Sequence, residues 1–370
     1  MAISFPVVAG IAEMPAVRDT TSACMKFMLK PEGLLERLAL WLNLAPAPLA
    51  HSFFGMMSSR VAMAGGRLGV YEALARAPAT AERLAAELRL HPTGLTRLLE
   101  SLHAMGLLRR RGEVWRLDKR ARRWLDPRSP HYVGGFLEFN YAQWEWWNHL
   151  EDSIRSGKGI DIHGFPPEDP RWEKYVVAMF ELARLAAPEV ARAVPLPAGP
   201  RRLLDLGGAH GWFAAELCRR HPTLSATVLD LPASARVGRQ IIARAGMSDR
   251  VRHVEADLLS APLGGPYEGI LVFQVVHHLS DAQNEELMKR IAEALVPGGT
   301  VALLEPLMPD SPHSPSSLSL IGLHYFLTSA CSSYRLADLQ RWLAGAGLRF
   351  ERTMAIKRIP LQTLVVARKP

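Results

Sequence analysis

The sequence has few cysteines and no long apolar run, and both absences exclude classes of protein. Its 370 residues include three cysteines, Cys24, Cys218 and Cys331. They are far apart and lack Cys-x-x-Cys spacing, so neither a disulfide framework nor a zinc site is indicated, and a reducing cytoplasm fits. No apolar run reaches the roughly 18–20 residues of a membrane span. The first residues are mildly apolar without a basic leader, which favours an arm over a signal peptide.

Two ligand signatures are also missing. No Gly-Lys-Ser or Gly-Lys-Thr follows the glycine turn at residues 207–211, which excludes a P-loop. No group of His, Cys, Asp and Glu has metal-ligand spacing, so we expect no metal. The net charge of +8 is concentrated at residues 109–123. Such a cluster could contact nucleic acid, but a solvated surface is the commoner explanation.

The length and the 48% apolar content allow two domains, and the chain divides into four segments. Residues 1–51 are an N-terminal arm that includes the apolar run Leu34–Leu49. The pattern of residues 52–130 predicts a winged-helix module, and that of residues 131–195 predicts a helical region. A Pro-rich linker at 195–200 leads into a last segment, residues 196–370.

Helical periodicity and turn residues define the winged-helix module. The predicted helices are Arg60–Ala75, Ala79–Leu88 with Thr80 near its start, and His91–Met105. Gly106 ends the third helix, and Leu107–Leu117 predicts a hairpin.

From Arg201 onward, predicted strands and helices alternate. The strands are Arg202–Leu206, Ala226–Leu231, Val251–Ala256, Gly269–Val276 and Thr300–Glu305. A helix at Leu336–Ala346 then precedes two further strands, Arg349–Lys357 and Gln362–Arg368. The pattern predicts an α/β, Rossmann-like parallel sheet that ends in an antiparallel strand pair, behind a mainly α winged-helix domain.

The segment Arg202–Pro232 indicates a nucleotide-binding βαβ unit. A strand ending in Asp205 enters the turn Gly207-Gly208-Ala209-His210-Gly211, and the next strand ends in Asp230. Glycines let the backbone approach a ligand closely, and an acid at the second strand end accepts ribose hydroxyls. A lone glycine turn does not identify the nucleotide.

The motifs along the whole segment are more specific. They are, in order, Asp205-Leu-Gly-Gly-Ala-His-Gly211, Asp230-Leu-Pro232, Ala256-Asp257-Leu258, His277-His278-Leu279-Ser280-Asp281, Pro297-Gly298-Gly299 and Glu305-Pro306. From about Ser52 to its end the chain resembles the class I S-adenosylmethionine-dependent small-molecule O-methyltransferases of plant phenolic and bacterial natural-product pathways. These enzymes carry an N-terminal winged-helix dimerisation domain.

The resemblance implies a cofactor, S-adenosylmethionine, and residues that bind it: Asp205, Gly207, Gly208, Gly211, Asp230, Leu231, Asp257, Leu258 and Gln274. It also implies a catalytic pair, His277 and Glu305. The position of His277 in the sequence agrees with a catalytic role, because it follows the fourth strand, at the carboxyl edge where open sheets bind ligands. A neutral imidazole there suits removal of a phenol or enol proton, with Glu305 orienting it. Alternatively, His277 only terminates its strand and Glu305 only pairs locally.

The acceptor pocket of this family lies between the middle helices and the catalytic domain. The resemblance places there Phe136, Phe139, Trp144, Trp147, Met179, Phe180, His278, Tyr325 and Phe326. Large flat side chains suit a planar acceptor, although they also suit an ordinary aromatic core. The segment Pro309–Ser317 reads as a mobile loop beside the site.

The chain departs from the family pattern at three positions. His278 replaces an Asp, Leu279 replaces a Trp, and Ser333 stands where the family has a glutamate that frames the histidine. The sequence therefore leaves open C- or N-methylation, or a non-methylating hydroxylase- or cyclase-like relative that keeps the cofactor.

Two other classes explain the sequence less well. A DNA-binding regulator fits the winged helix, but His91–Met105 has only one firmly basic residue, Arg97, for a groove. An NAD-dependent dehydrogenase shares the glycine turn and Asp230 but does not explain the later motifs. We therefore expect a cytoplasmic homodimeric methyltransferase of an aromatic or polycyclic small molecule, without nucleic-acid or membrane partners.

Overall fold

A computed structural model describes residues 33–44, 46–309, 317–329 and 333–370. Residues 1–32 of the predicted arm, Cys24, Cys331 and the predicted mobile loop between Pro309 and Ser317 lie outside the described residues. Across the described ranges, no helix has both the length and the apolar character needed to cross a membrane.

The N-terminal unit is a winged-helix fold with a three-stranded antiparallel sheet, ordered β1-β3-β2. Helix α2 runs through a π-helical stretch, Ala50–Phe54, into α3. The elements are α1 Leu34–Trp41, α2 Ala47–Leu49, α3 Gly55–Arg67, α4 Val70–Arg76, β1 Ala79–Thr80, α5 Ala81–Leu88, α6 Pro92–Ala104, β2 Leu108–Arg111, β3 Val114–Leu117 and α7 Lys119–Leu125.

Two predicted helices of this unit needed correction. The helix predicted over Arg60–Ala75 is broken because Gly69 adopts a left-handed conformation, with φ of 74°, between α3 and α4. The helix predicted from Ala79 begins at Ala81, because Ala79 and Thr80 pair with β3. Thr80 caps α5, since its hydroxyl accepts a hydrogen bond from the Arg83 backbone N–H.

The first helices expose many large apolar side chains. Leu34, Leu35, Trp41, Leu44 and Phe54 all lie more than half exposed, and Trp41 is 80% exposed. None of the residues of α1 is buried. Exposed apolar side chains in this number are typical of interaction surfaces.

The middle of the chain forms a helical layer, α8 Gly134–Trp147, α9 Leu150–Ser156 and α10 Arg171–Ala193. The carboxylate of Glu181, on α10, accepts hydrogen bonds from the backbone N–H groups of Gly135 and Phe136 at 3.1 and 3.0 Å. These N–H groups lie in the first turn of α8 and have no partner within their helix, so Glu181 joins α8 to α10.

The last segment is a seven-stranded sheet ordered β6-β5-β4-β7-β8-β10-β9. Strands β4 to β8 pair in parallel, and β10 is antiparallel to β8 and β9, which confirms the predicted fold class. The elements are β4 Arg202–Leu206, α11 Trp212–Arg220, β5 Ser225–Asp230, α12 Pro232–Arg244, β6 Val251–Glu255, β7 Tyr267–Phe273, α13 Asp281–Ala294, β8 Leu295–Glu305, α14 Leu318–Ser329, α15 Leu336–Gly345, β9 Arg349–Ala355 and β10 Thr363–Arg368.

Alternate strand residues pack on opposite faces of this sheet. Leu203 packs with α10 and α11 on one face, and Leu204 packs with α13 and α15 on the other. Strand β4 lies between β5 and β7, so the strand order reverses beside it. A crevice forms at such a reversal, outside the carboxyl ends of the strands.

Candidate active site

The glycine turn after β4 brings the backbone close to this crevice. Gly207 has φ of 64°, and a Cβ on it would lie 2.6 Å from a methyl carbon of Val275. A Cβ on Gly208 would overlap the carboxyl group of Asp205. Both positions therefore require glycine, the first for its conformation and its neighbour, the second for space.

Asp230 ends β5 and binds the same turn. Its Oδ2 accepts a hydrogen bond from the Ala209 backbone N–H at 2.7 Å, and its Oδ1 accepts one from the Leu231 N–H at 2.7 Å. Burial raises the pKa of Asp230 to about 6. The carboxylate thus holds the glycine turn in shape and lines the larger cavity of the crevice.

Asp205 is a buried acid with an unsatisfied oxygen. Its Oδ1 has no hydrogen-bond partner. Burial, with the nearby charge of Asp230, raises the pKa of Asp205 to about 8. A cationic ligand group beside Gly207 and Gly208 would supply the missing partner and favour the charged form of the carboxyl.

Two cavities meet at the glycine turn. The larger, about 460 Å³, is lined by the predicted cofactor residues Gly207, Asp230, Leu231, Asp257, Leu258 and Gln274, and by the predicted acceptor contact His278. The smaller, about 110 Å³, is lined by Asp205, Gly207, Gly208 and Gln274, with Met179 of α10. Gly211 lines neither cavity and begins α11 with φ of 65°. Eight of the nine predicted cofactor residues thus meet in one place.

His277 and Glu305 form a buried pair. Nδ1 of His277 lies 2.8 Å from Oε2 of Glu305, and Oε1 of Glu305 accepts hydrogen bonds from the backbone N–H groups of Val275 and Val276. Because the carboxylate oxygen accepts, Nδ1 donates and Nε2 is left as the basic nitrogen. His277 lies in a 3₁₀ turn, Val276–His278, because the predicted strand ends early at Phe273 and Gln274 adopts φ of 58°.

His277 is 4% exposed and lies between two aromatic rings. The Tyr325 ring lies parallel to the imidazole, with 3.7 Å between ring centroids, and the His278 ring lies on it with 4.0 Å between centroids. Nδ1 of His278 is 2.6 Å from the Ser329 hydroxyl. His278 lines the larger cavity, whereas His277 does not.

Several residues that sequence reasoning missed line the larger cavity. They are Asp161, His163 and Gly164 from the loop between α9 and α10, Tyr175 from α10, and Ser329 from α14. Oδ1 of Asp161 accepts hydrogen bonds from the His163 and Gly164 backbone N–H groups. Burial lowers the pKa of His163 to about 4, so its ring is neutral at pH 7. The available sequence signal was a short Asp-x-His-Gly segment, without periodicity or a known spacing.

The predicted acceptor-pocket aromatics are spread more widely. Trp147 lies parallel to His324 of α14 and donates a hydrogen bond to its Nδ1. Phe180 packs edge-on to Trp212, 5.0 Å between centroids, and Trp144 lies under the Arg60 guanidinium. Phe136 and Phe139 pack within the helical layer. Neither these residues nor Phe326 line the two cavities, so their contact with an acceptor stays a prediction.

Of the three departures from the family pattern, one, His278, packs against the imidazole of His277, with 4.0 Å between the ring centroids. The Ser333 hydroxyl is buried without a hydrogen-bond partner, against Gly322 of α14. Leu279 is buried, and its carbonyl accepts a hydrogen bond from the Tyr334 hydroxyl. Asp281 accepts hydrogen bonds from Arg341 and Trp342. Glu305 is thus the carboxylate that holds His277.

Known protein families match both parts of the chain. The model of an O-methyltransferase domain matches residues 147–349, and that of an O-methyltransferase dimerisation domain matches residues 50–127. The 3-hydroxy-5-methyl-1-naphthoate 3-O-methyltransferase of Streptomyces sahachiroi is 30% identical over 84% of this chain and 91% of its own length. The tetracenomycin polyketide synthesis 8-O-methyl transferase of Streptomyces glaucescens is 32% identical over 87% of this chain and 95% of its own length.

A solved structure has the same architecture. Human N-acetylserotonin methyltransferase, in complex with S-adenosylmethionine, superposes with a TM-score of 0.77 at 24% identity, covering 92% of this chain and 99% of that one. The similarity extends over both the winged-helix unit and the sheet.

Proposed function

This chain belongs to the S-adenosylmethionine-dependent O-methyltransferase family, and from that premise we propose that it methylates a hydroxyl of an aromatic polyketide or a similar planar small molecule. The observation that carries the proposal is the buried His277–Glu305 pair, whose chain neighbours Val275 and His278 line the larger cavity. The names of the two Streptomyces relatives support the acceptor class.

The residues of the crevice fit S-adenosylmethionine. The unsatisfied oxygen of Asp205 suits the ammonium of the methionyl part, and the glycine turn leaves room that a Cβ would fill. Asp230 suits the ribose hydroxyls, and Asp257 with Leu258 suits the adenine end. When bound, the cofactor supplies a methyl group on a positively charged sulfur, which leaves as a neutral thioether.

We assign His277 the role of general base. When the acceptor hydroxyl is methylated, its proton would pass to Nε2 of His277, the basic nitrogen of the ring. Glu305 holds Nδ1 and stabilises the imidazolium that results. A positioned base of this kind contributes about 10²–10⁴-fold to the rate.

The acceptor would enter the larger cavity from the side of the helical layer. His163, Tyr175 and His278 present flat or polar side chains there, and Met179 lies in the neighbouring cavity. Flat rings favour a planar acceptor, and neutral imidazoles suit its hydroxyl and keto oxygens.

We further propose that the enzyme is a homodimer that acts in the cytoplasm. The match to a dimerisation domain at residues 50–127 and the exposed apolar side chains of α1 to α3 support the dimer. Association would bury this surface against the same helices of the partner subunit.

The first experiment measures cofactor binding by calorimetric titration with S-adenosylmethionine, S-adenosylhomocysteine and, as control, NADH. We expect both sulfur nucleotides and not NADH to bind. Incubation with hydroxylated naphthoates and polyketide aromatics then tests turnover, by mass gain and by NMR location of the methyl group. Methyl on carbon or nitrogen, or binding without transfer to any acceptor, contradicts O-methylation and favours the C- or N-methylating or non-methylating alternatives.

A further inference from the structure

We propose that Tyr325 is a positioning residue for His277, one that sets the plane of the imidazole and shields it from water. The inference rests on the proposed role of His277 as base. The sequence predicts Tyr325 in the acceptor pocket, but Tyr325 lines neither cavity, and its ring stacks on that of His277.

The stack between Tyr325 and His277 is close and nearly parallel. The ring centroids are 3.7 Å apart, and the planes differ by 7°. The hydrogen bond to Glu305 fixes only one atom of the imidazole, Nδ1. Because a hydrogen bond tolerates a spread of angles, it does not by itself prevent small rotations of the ring about its Cβ–Cγ bond. Contact with the face of the ring does prevent this, so the stack sets the direction in which Nε2 points.

The Tyr325 ring is itself anchored through its hydroxyl. The hydroxyl donates a hydrogen bond to Oε1 of Gln274 at 3.2 Å. The amide nitrogen of Gln274 donates to the Leu304 carbonyl at 2.8 Å and to Oε1 of Gln362 at 2.6 Å. Burial raises the pKa of Tyr325 well above its usual range, so the hydroxyl keeps its proton and remains a donor. Strands β7, β8 and β10 thus converge to hold one tyrosine ring.

Helix α14, which carries Tyr325, also orders the second ring that packs on His277, the imidazole of His278. Ser329, one turn after Tyr325 on α14, lies 2.6 Å from Nδ1 of His278. The His278 ring contacts His277 at 4.0 Å between centroids. Helix α14 therefore acts on both rings that pack on the base, directly through Tyr325 and through Ser329 with His278.

The test compares Tyr325→Leu, Tyr325→Phe and a control on the same helix, Leu320→Ala, whose side chain is 58% exposed. We expect the Tyr325→Leu variant to lower kcat about 10- to 100-fold, because a small misplacement of a catalytic group has an effect on this scale. The KM for the acceptor and the Kd for S-adenosylmethionine should stay within about twofold of their original values. Phe keeps the ring and should recover most of kcat. Leu320→Ala should match the unaltered enzyme.

A second readout does not depend on turnover. In protein labelled at histidine, the ring-proton signals of His277 are assigned by their loss in His277→Ala, without cofactor or acceptor. We expect these signals to shift in Tyr325→Leu, because the ring current of the stacked tyrosine is lost, and not in Leu320→Ala. If the Tyr325→Leu variant does not fold, Tyr325→Met replaces it in the test, because its unbranched side chain fills the space without a ring.

The outcomes separate the two proposals. Unshifted His277 signals, or an unchanged kcat in the Leu variant, overturn the role of Tyr325. A rise in KM alone also overturns it and makes Tyr325 an acceptor contact. Shifted signals combined with full turnover of His277→Ala support the positioning contact but remove His277 as the base.

Discussion

The ring of His163 meets the ring of His278 edge-on, with 4.4 Å between centroids and 77° between planes. His163 comes from the loop after α9 and His278 from the turn after β7, so this contact joins the helical layer to the catalytic domain. Burial keeps the pKa of both rings below the usual range. At pH 7 both are therefore neutral and suited to bind oxygen atoms of an uncharged acceptor.

His163→Ala should raise KM for the acceptor about tenfold, the value of one lost hydrogen bond of about 1.4 kcal/mol, and leave Kd for the cofactor unchanged. Steady-state kinetics with calorimetry checks this. His149→Ala, at an exposed histidine of the helical layer, is the control. Equal KM values in the two variants would exclude His163 from the acceptor site.

His277→Ala should lower kcat about 10²–10⁴-fold, because the acceptor proton loses its base. Cofactor affinity should not change, since His277 lines neither cavity. Single-turnover rates measure the chemical step directly, with His149→Ala, at an exposed histidine, as the control. Turnover equal to that of the control would mean that the acceptor ionises without this residue.

The raised pKa of Asp205 predicts how the stability of the cofactor-free protein depends on pH. Its pKa is about 8 in the folded protein, against 3.8 as its ordinary value. Between these values the folded state keeps a proton that the unfolded chain has lost, so the free energy of unfolding falls as pH rises from about 4 to 8. Asp205→Asn removes this contribution, and its melting temperature should depend less on pH between 6 and 8. Calorimetric scans in that window test it, and parallel curves would show that Asp205 is ionised when folded.

The same carboxyl should couple cofactor binding to proton release. A cation beside Asp205 favours the charged form, so S-adenosylmethionine should bind more tightly as pH rises from 6 to 8. Calorimetric titration in buffers of different ionisation enthalpy measures the protons released. A heat that is independent of the buffer would contradict this linkage.

Gly208→Ala should weaken cofactor binding at least tenfold, because the new Cβ overlaps Asp205 and forces the turn to move. Gly94→Ala is the matched control. It lies in α6 with open space around it, and alanine there should be neutral or stabilise the helix by up to about 1 kcal/mol. Titrations of both variants with S-adenosylhomocysteine give the comparison, and equal affinities would show that the turn is not rigid.

Trp41→Glu combined with Phe54→Glu should convert the proposed dimer to a monomer, because charges would be buried on the apolar surface of α1 to α3. Sedimentation equilibrium measures the mass. Ile154→Glu, on an apolar residue of α9 that is 58% exposed, should leave it unchanged. A dimer that survives the double change would place the interface elsewhere.

Most of the catalytic sheet could be predicted because its signals are local. Alternating runs and turn residues fixed β4, β5 and β6 to within one or two residues, and the acids Asp205 and Asp230 follow directly from strand ends. The sequence could not show that β7 stops at Phe273, because Gln274 adopts a conformation that favours glycine or asparagine. It is held there by distant partners, Leu304 and Gln362.

The acceptor side of the site could be predicted only in part, because it is assembled from segments far apart in the chain. His163, Tyr175 and Ser329 meet His278 through tertiary packing, and no periodicity marks them. Composition pointed instead to the aromatic residues of α8, yet Phe136 and Phe139 pack within the helical layer, with 6.4 Å between their ring centroids. Aromatic content alone does not separate a pocket from a core.

The ladder between β7 and β8 aligns Phe273 with Leu304, so Glu305 is delivered next to the turn that carries His277. The spacing of the proposed base and its carboxylate partner is therefore set by the sheet, whereas the loop after α9 and helix α14 line the larger cavity. In the proposed function, the chemistry and the choice of acceptor can therefore change independently. A laboratory that wants a new regiochemistry from this scaffold can vary the segment around His163 while leaving the strand ends untouched.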